Sequence, residues 1–390
     1  MSRYHSYLNS AVSVIETYKG EEPFASFLKK YFSANKKFGS KDRKQVSHLC
    51  YCFFRLGKAG KDLPVDERVL AGLFLCSAES NEMLAALKPE WNERVTLSIE
   101  RKFSILNVQF SIFNVFPWKE ELSESVDHLA FNQSFFVQPD LFLRLRPGKE
   151  KLVKRKLDDA DITYSAKSES CLALPNAAKV DAVIELNKEA IVQDYSSQQT
   201  MGVLDNYKLK TTNDKLITWD CCAASGGKSI LLYDHLDGKI DLTVSDVRES
   251  ILQNLEKRFT EAGIRNYHSF IADLSRPVST NKQYDLIVAD VPCTGSGTWS
   301  RTPEQLYYFE EKKIADYAAL QKKIVSHVVD SIRPGGYFLY ITCSVFKQEN
   351  EEAVAFLKEN LRLQLLKTEV LKGYDQKADS MFTAFFQRSL

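Results

Sequence analysis

Between about residues 216 and 341 the chain alternates short apolar runs with amphipathic stretches, and this alternation restricts the fold more than any other feature. Strands are expected at 216–219, 241–245, 269–271, 284–289 and 337–341, with helices from about 227 and at 250–261 and 317–332. Consecutive parallel strands need a crossover long enough to hold a helix, and those helices then cover both faces of the sheet. The pattern predicts a parallel, doubly wound, Rossmann-like α/β sheet, with one more strand near 381–386. In such sheets ligands bind beyond the C-terminal strand ends, where the strand order reverses. Residues that follow each apolar run are therefore the first candidates for chemistry.

At 390 residues the chain is too long for one ordinary core. Residues 1–135 show helical apolar spacing almost throughout and predict an all-α domain. One helix is expected to be N-capped by Ser40, and others to lie at 66–78, 80–88, 91–104 and 119–130. Residues 136–195 read as a small α+β module, with strand-like runs at 141–146, 171–174 and 182–186 and an amphipathic helix at 150–157. Residues 196–390 hold the sheet, entered through the polar segment 193–199 and a helix reaching about 209.

The net charge of +1 conceals an uneven distribution. Residues 1–60 carry eleven Lys and Arg against four acids, whereas residues 61–135 carry seven against twelve. The basic end suits a polyanion and equally suits a solvated helix surface. The module at 136–195 is also locally basic, through Arg144, Arg146, Lys149, Lys151, Lys154, Arg155 and Lys156. No apolar run is long enough for a membrane span or a signal core, so a cytoplasmic protein is expected. A monomer is the expected state. The eight cysteines form no Cys-x-x-Cys pair, and His48, Cys50 and Cys52 do not share one helix face, which argues against a metal site. Cys50, Cys52, Cys76 and Cys171 read as buried structural thiols.

The first strand of the sheet empties into Asp220-Cys221-Cys222-Ala223-Ala224-Ser225-Gly226-Gly227-Lys228-Ser229. Small residues between a strand and a helix let a ligand approach backbone N–H groups. A P-loop would need glycine at 222, where the chain has Cys. Asp246, twenty residues past Gly226, is placed for a ribose diol, and Asp273 for an adenine amino group, although each also fits a helix N-cap. The spacings point to S-adenosylmethionine or a dinucleotide, and the absence of Gly-x-Gly-x-x-Gly favours the former.

Two further strands end in thiols: Asp290-Val291-Pro292-Cys293, and Thr342-Cys343-Ser344 fifty residues later. C5 of a pyrimidine is a poor nucleophile until a group adds to C6. A thiolate does so, the resulting enamine attacks a methyl donor, and loss of the C5 proton expels the thiolate. Asp290 is placed to hydrogen-bond the base edge and stabilise that adduct. The competing reading is that both thiols are inert core residues.

These residues resemble the Sun/Fmu-type RNA 5-methylcytosine methyltransferases. The likeness runs through 220–228, Asp246, Asp273, 290–297, Arg301-Thr302-Pro303-Glu304, 342–344 and Glu349-Asn350-Glu351, in order over about 190–390. Phe38-Gly39-Ser40-Lys41-Asp42-Arg43 and the helix after it resemble the NusB-like domain of the bacterial ribosomal RNA members. The resemblance implies a Rossmann-like S-adenosylmethionine methyltransferase domain preceded by an RNA-binding NusB-like domain and an RNA-binding module. It implies that Cys343 attacks C6, that Cys293 assists elimination and product release, and that Lys228 and Asp290 line the target base. Cys222, Ala223, Ala224, Ser225, Gly226, Gly227, Lys228, Asp246, Arg248, Asp273 and Asp290 would hold the cofactor. Ser225 stands where the family usually has Pro, and Val291 where many members have Ala, implying altered loop stiffness. Small-subunit ribosomal RNA is the expected substrate. Transfer RNA, and a non-catalytic role in ribosome assembly, are the alternatives.

Overall fold

A computed structural model describes residues 2–106, 110–207, 209, 214–278, 280 and 282–390. Its contacts divide the chain into two compact units. One holds the residues up to Leu122 together with Asp127–Gln138 and Thr298–Glu311; the other holds Ser123–Val126, Pro139–Gly297 and Lys312–Leu390.

The first unit is helical. Helices Arg3–Thr17, Phe24–Ala34, Ser40–Arg55 and Val65–Cys76 bury Ala11, Val14, Phe24, Val46, Phe53, Phe54 and Phe74 with essentially no exposure. The third helix starts one residue earlier than its sequence suggests: Gly39 is the cap, and Asp42 reaches back to accept its N–H at 2.9 Å. The stretches 66–78 and 80–88 are helical over Val65–Cys76 and Glu82–Leu87. The expected helix at 91–104 is two short ones, Pro89–Asn92 and Ile99–Ile105.

The expected helix at 119–130 is replaced by a 3-10 turn at Lys119–Glu121 and a helix at His128–Ser134. Asp127 starts the latter by accepting the Ala130 N–H at 2.8 Å. Segment Thr298–Glu311 belongs with these helices. Its Glu304 accepts the Phe24 N–H at 3.2 Å, capping a helix that has no other side-chain cap, and Lys58 Nζ donates to the Tyr307 carbonyl at 2.7 Å.

In the second unit a four-stranded antiparallel sheet forms from β1 (Leu141–Leu145), β2 (Ser165–Ala166), β3 (Cys171–Leu174) and β4 (Ala190–Val192), in the order β2-β3-β1-β4. The helix Glu150–Asp159 packs Val153 and Leu157 against it. The apolar run 182–186 is not a strand. It buries Ile184 from a turn closed by Ile184 N–H to the Val180 carbonyl, and Asn187, at φ 65°, reverses the chain into β4. Arg144 and Arg146 do not present charge to solvent, because each pairs with the buried carboxylate of Asp234 at 2.6 Å. Lys156 likewise pairs with Glu189, while Lys151 and Arg155 are exposed.

The large sheet has seven strands: β5 (Leu216–Asp220), β6 (Ile240–Asp246), β7 (Tyr267–Ile271), β8 (Tyr284–Asp290), β9 (Ile332–Thr342), β10 (Leu363–Leu371) and β11 (Met381–Arg388). Their order is β10-β11-β9-β8-β5-β6-β7. The five strands from β5 to β9 are parallel, but β11 pairs antiparallel with both β9 and β10, so the sheet is mixed and not wholly parallel. The edge strand β10 has no apolar alternation to announce it, since most of its residues are only partly buried. Apolar layers cover both faces, one around Leu242, Leu286 and Leu339 and the other around Trp219, Ile287 and Phe338. The helix expected at 317–332 begins earlier, at Lys312, and ends at Val328. The segment expected to reach 209 as one helix forms Tyr195–Gln199, started by Asp194, and a 3-10 turn at Thr200–Leu204; 208 and 210–213 lie outside the described residues. Strands β6 and β7 lie on one side of β5, and β8 and β9 on the other. The strand order therefore reverses between β5 and β8, where Asp220 and Asp290 end their strands.

Candidate active site

The loop after β5 turns sharply because Ala224 (φ 45°) and Gly226 (φ 81°) both adopt left-handed backbone. At Gly226 a Cβ would come within 2.7 Å of Phe259 and 2.9 Å of Leu255, so a side chain is excluded twice, by conformation and by space. For Ala224 the strain is offset by a hydrogen bond from its N–H to Asp246 Oδ2 at 3.1 Å. Ser225 is pinned from outside: Arg258 Nη1 donates to its carbonyl at 3.0 Å and its hydroxyl at 2.8 Å, while Arg258 Nε donates to Asn187. The loop is thus held by a guanidinium at the position where the family resemblance leads one to expect a proline.

A cavity of about 560 Å³ opens in front of this loop. Cys222, Ala224, Asp246, Arg248, Asp273 and Asp290 line it, together with both strand-end thiols, Cys293 and Cys343. Ala223, Ser225, Gly226 and Gly227 form the turn behind it, and Lys228 reaches forward to Asp290 Oδ2 at 2.6 Å. Asp246 Oδ1 accepts the backbone N–H of Arg248 at 2.9 Å and its Nε at 3.0 Å. Arg248 Nη2 adds a longer contact to Oδ2 at 3.4 Å, so with the Ala224 N–H four donors hold this carboxylate at the cavity wall. Asp273 is exposed and closes a turn: Ser275 donates to its Oδ1 from both hydroxyl and N–H, and these bonds hold its carboxyl below the usual range. Leu320 and Ile324, from the helix Lys312–Val328, supply apolar wall. No local signal marked them, because a helix distant in sequence delivers them.

The two thiols meet. Cys293 Sγ lies 3.2 Å from Cys343 Sγ, and both are partly accessible. The hydrogen bond to Cys343, then burial, hold the Cys293 thiol well above the usual range, and the charges of Cys343 and Glu349 add to this. Lys228 is affected most by burial, which opposes its charge. The charge and hydrogen bond of Asp290, then the charges of Cys343 and Asp220, outweigh burial and raise it, so the ammonium form persists. Behind the pair, buried Asp220 accepts from Ser229 Oγ at 2.6 Å through one oxygen, while the other has no hydrogen-bond partner among the described residues. Burial, reinforced by Asp290, pushes Asp220 up to about 7 against the opposing hydrogen bond of Ser229.

The loops that carry the thiols are bound to each other. Gly297 N–H donates to the Cys343 carbonyl at 2.9 Å, and the Ser380 N–H donates to the Gly297 carbonyl at 2.9 Å. A Cβ on Gly297 would sit 2.1 Å from the Ser380 carbonyl oxygen, so only glycine permits this approach. Val291, next to the site, is buried and donates its N–H to Ile341. Cys50, Cys52 and Cys171 are buried as expected, but Cys76, at the end of its helix, is only partly so. Among the described residues no group of His, Cys, Asp and Glu side chains is arranged to hold a metal ion, and no helix is long and apolar enough to cross a membrane.

A mixed Rossmann-like sheet with acids and thiols at the reversal point defines the class: a methyltransferase fold. Residues 206–387 match the family described as 16S rRNA methyltransferase RsmB/F. It is 32% identical over 208 residues to a ribosomal RNA small subunit methyltransferase B of Shewanella oneidensis, covering 52% of this chain and 46% of that protein. A probable ribosomal RNA small subunit methyltransferase B of Bacillus subtilis is 29% identical over 177 residues, covering 45% and 38%. The match thus spans less than half the length of these curated relatives. Among solved structures, one titled PH0851 matches the whole chain with a TM-score of 0.70 at 18% identity, covering 100% of both. NSun6 from Pyrococcus horikoshii, solved with SFG, matches with a TM-score of 0.58 at 15% identity, covering 72% of this chain and 97% of that one. At these identities the structures show a shared fold.

Proposed function

We propose that this protein methylates C5 of cytosine in RNA, with small-subunit ribosomal RNA as substrate, through a covalent cysteine adduct and with S-adenosylmethionine as cofactor. The observation that carries the reading is the 3.2 Å approach of two strand-end thiols beside the Lys228–Asp290 pair. The names of the curated relatives support ribosomal RNA as substrate, and SFG, an S-adenosylmethionine analogue, in the NSun6 structure supports the cofactor.

The residues present fit that cofactor. The cavity is of ligand size, the loop before it is built of small residues, and the Asp246 carboxylate lines it. Asp246 would hold the ribose hydroxyls, with Cys222 to Gly227 around the amino-acid part and Arg248 and Asp273 at the rim. S-adenosylmethionine supplies the methyl group that C5 of the base takes up.

The Cys343 thiolate adds to C6 of the base, breaking the C5–C6 double bond and making C5 nucleophilic. Asp290 accepts a hydrogen bond from the base edge, and the Lys228 ammonium holds that carboxylate in place and offsets its charge. After methylation the C5 proton passes to water, the double bond reforms, and Cys343 departs as a thiolate that the Cys293 S–H can hydrogen-bond. Cys293, held as a thiol 3.2 Å away, is positioned to assist that elimination. A base acted on this way must be unstacked, which favours loops and single strands of RNA. The exposed lysines 36, 37, 41 and 44 of the helical unit are the proposed phosphate contacts.

Bisulfite sequencing of ribosomal and transfer RNA, from cells with and without the gene, tests the reading. One cytosine in small-subunit RNA should lose its methyl group in the deletion and regain it with the wild-type gene. No change in either RNA would overturn the reaction, and a change confined to transfer RNA would overturn the substrate.

A further inference from the structure

The Glu349-Asn350-Glu351 stretch follows the second thiol, yet Glu349 does not line the cavity and has no part in the chemistry above. Its side chain is fully buried at the point where the two thiol loops converge. One oxygen accepts the Thr294 N–H at 2.9 Å and Gln321 Nε2 at 3.0 Å. The other accepts Thr294 Oγ1 at 2.6 Å and the Ser344 hydroxyl. Thr294 directly follows Cys293 and Ser344 directly follows Cys343, so one carboxylate grips the residue after each thiol. Gln321 also donates to the Pro292 carbonyl at 3.0 Å, holding the residue before Cys293. Tyr340 secures the arrangement from β9 by donating to Gln321 Oε1 at 3.0 Å and to the Glu349 carbonyl at 2.8 Å.

Four donors and no acceptors converge on this carboxylate. A buried charge tolerated in that way is costly to remove in part, because each loose donor is left unsatisfied. Burial raises Glu349 and the four hydrogen bonds oppose it. The site is built for an acceptor-only group, which a glutamine, with its amide donor, does not reproduce.

We propose that Glu349 is a positioning residue that sets the separation of Cys293 and Cys343, acting through Thr294 and Ser344. This rests on the two-thiol reading of the site, and it concerns the chain's own geometry, so its test needs neither RNA nor cofactor.

The probe is diamide. Oxidation of the two thiols to a disulfide reduces diamide to its hydrazine, with both thiol protons transferred to it. Formation of the Cys293–Cys343 disulfide is followed by non-reducing peptide mapping in variants checked for fold by circular dichroism. Because displacements of about 1 Å can cost ~10²-fold in reactions between positioned groups, Glu349→Gln should slow the disulfide by at least about tenfold. Thr294→Val should slow it by a smaller factor, and Thr294→Ser, which keeps the hydroxyl, should restore the wild-type rate. Rates within about twofold of wild type in both Glu349→Gln and Thr294→Val would overturn the proposal. If Glu349→Gln fails to fold, Thr294→Val and Ser344→Ala decide the matter, since each removes one donor and leaves the carboxylate. A wild-type protein that closes the disulfide rapidly but leaves cytosine unmethylated would sink the proposed reaction and leave the positioning role standing.

Discussion

Two pairs of thiols distant in sequence come together, Cys52 with Cys76 and Cys293 with Cys343, and of these two the second has the surroundings of a reaction centre. In the helical unit Cys52 Sγ lies 3.6 Å from His48 Nε2, and the neighbouring Cys76 thiol, then burial, holds Cys52 well above the usual thiol range. In the sheet the bond to Cys343, then burial, does the same to Cys293. The acid–base profile is therefore shared. What differs is that Cys293 and Cys343 open on a cavity beside an ammonium–carboxylate pair, whereas Cys52 is almost fully buried between helices. Proximity and a raised pKa do not make a site; access and a fixed charge do.

The largest expected contrast comes from removing one sulfur of each pair. Cys343→Ala should reduce RNA methylation by roughly 10³-fold or more, whereas Cys52→Ala should leave the rate within about threefold of wild type, in a methyl-incorporation assay on RNA from cells lacking the gene. Cys293→Ala should instead trap a long-lived protein–RNA adduct, visible on denaturing gels and lost in the double variant. If Cys343→Ala keeps full activity, the two pairs no longer differ in chemistry.

Alkylation sharpens the comparison without substrate. Iodoacetamide should modify Cys343 in the folded protein at least about tenfold faster than Cys52, because only the former faces solvent through the cavity. Equal rates, read by peptide mass spectrometry, would remove the distinction.

A smaller effect is expected at the cofactor loop. Arg258→Ala releases Ser225 and should weaken S-adenosylmethionine binding by roughly tenfold in calorimetry, the scale of one or two charge-assisted hydrogen bonds. The smallest effect is on stability. Asp220 is pushed up to about 7 in the folded protein, against about 3.9 in an unfolded chain, so the native state binds the extra proton between those values. Stability from this group is full below about pH 4 and is lost as pH rises through about 7. Asp220→Asn should therefore flatten the fall of Tm between pH 5 and pH 8, and an unchanged slope would mean that another group titrates there.

Parts of the site were legible because their signals are local. Asp290 and Cys293 follow one apolar run, Cys343 follows another, and the small residues 223–227 sit between a strand and a helix. Asp246 was reached through spacing and Arg248 through the family resemblance, and both line the cavity. Other features were misread for equally local reasons. The run 182–186 alternates like a strand but buries its apolar side chains from a turn, and 119–130 has helical spacing but is interrupted before Asp127 starts a new helix. The basic run that begins with Arg144 and Arg146 suited RNA phosphates and equally an exposed strand and helix, because sequence shows charge and hides Asp234, which lies some ninety residues away.

By itself the sequence determined the strand–helix alternation, and hence a sheet with its chemistry at one edge, because side-chain periodicity is a property of neighbouring residues. It also determined which residue types stand at those strand ends. Only the tertiary structure decided that two thiols fifty residues apart meet at 3.2 Å, that both open on one cavity, and that the last two strands run antiparallel. Those outcomes depend on strand order and on buried partners such as Glu349 and Gln321. Their hydrogen bonds join segments far apart in the chain, and no local pattern records them.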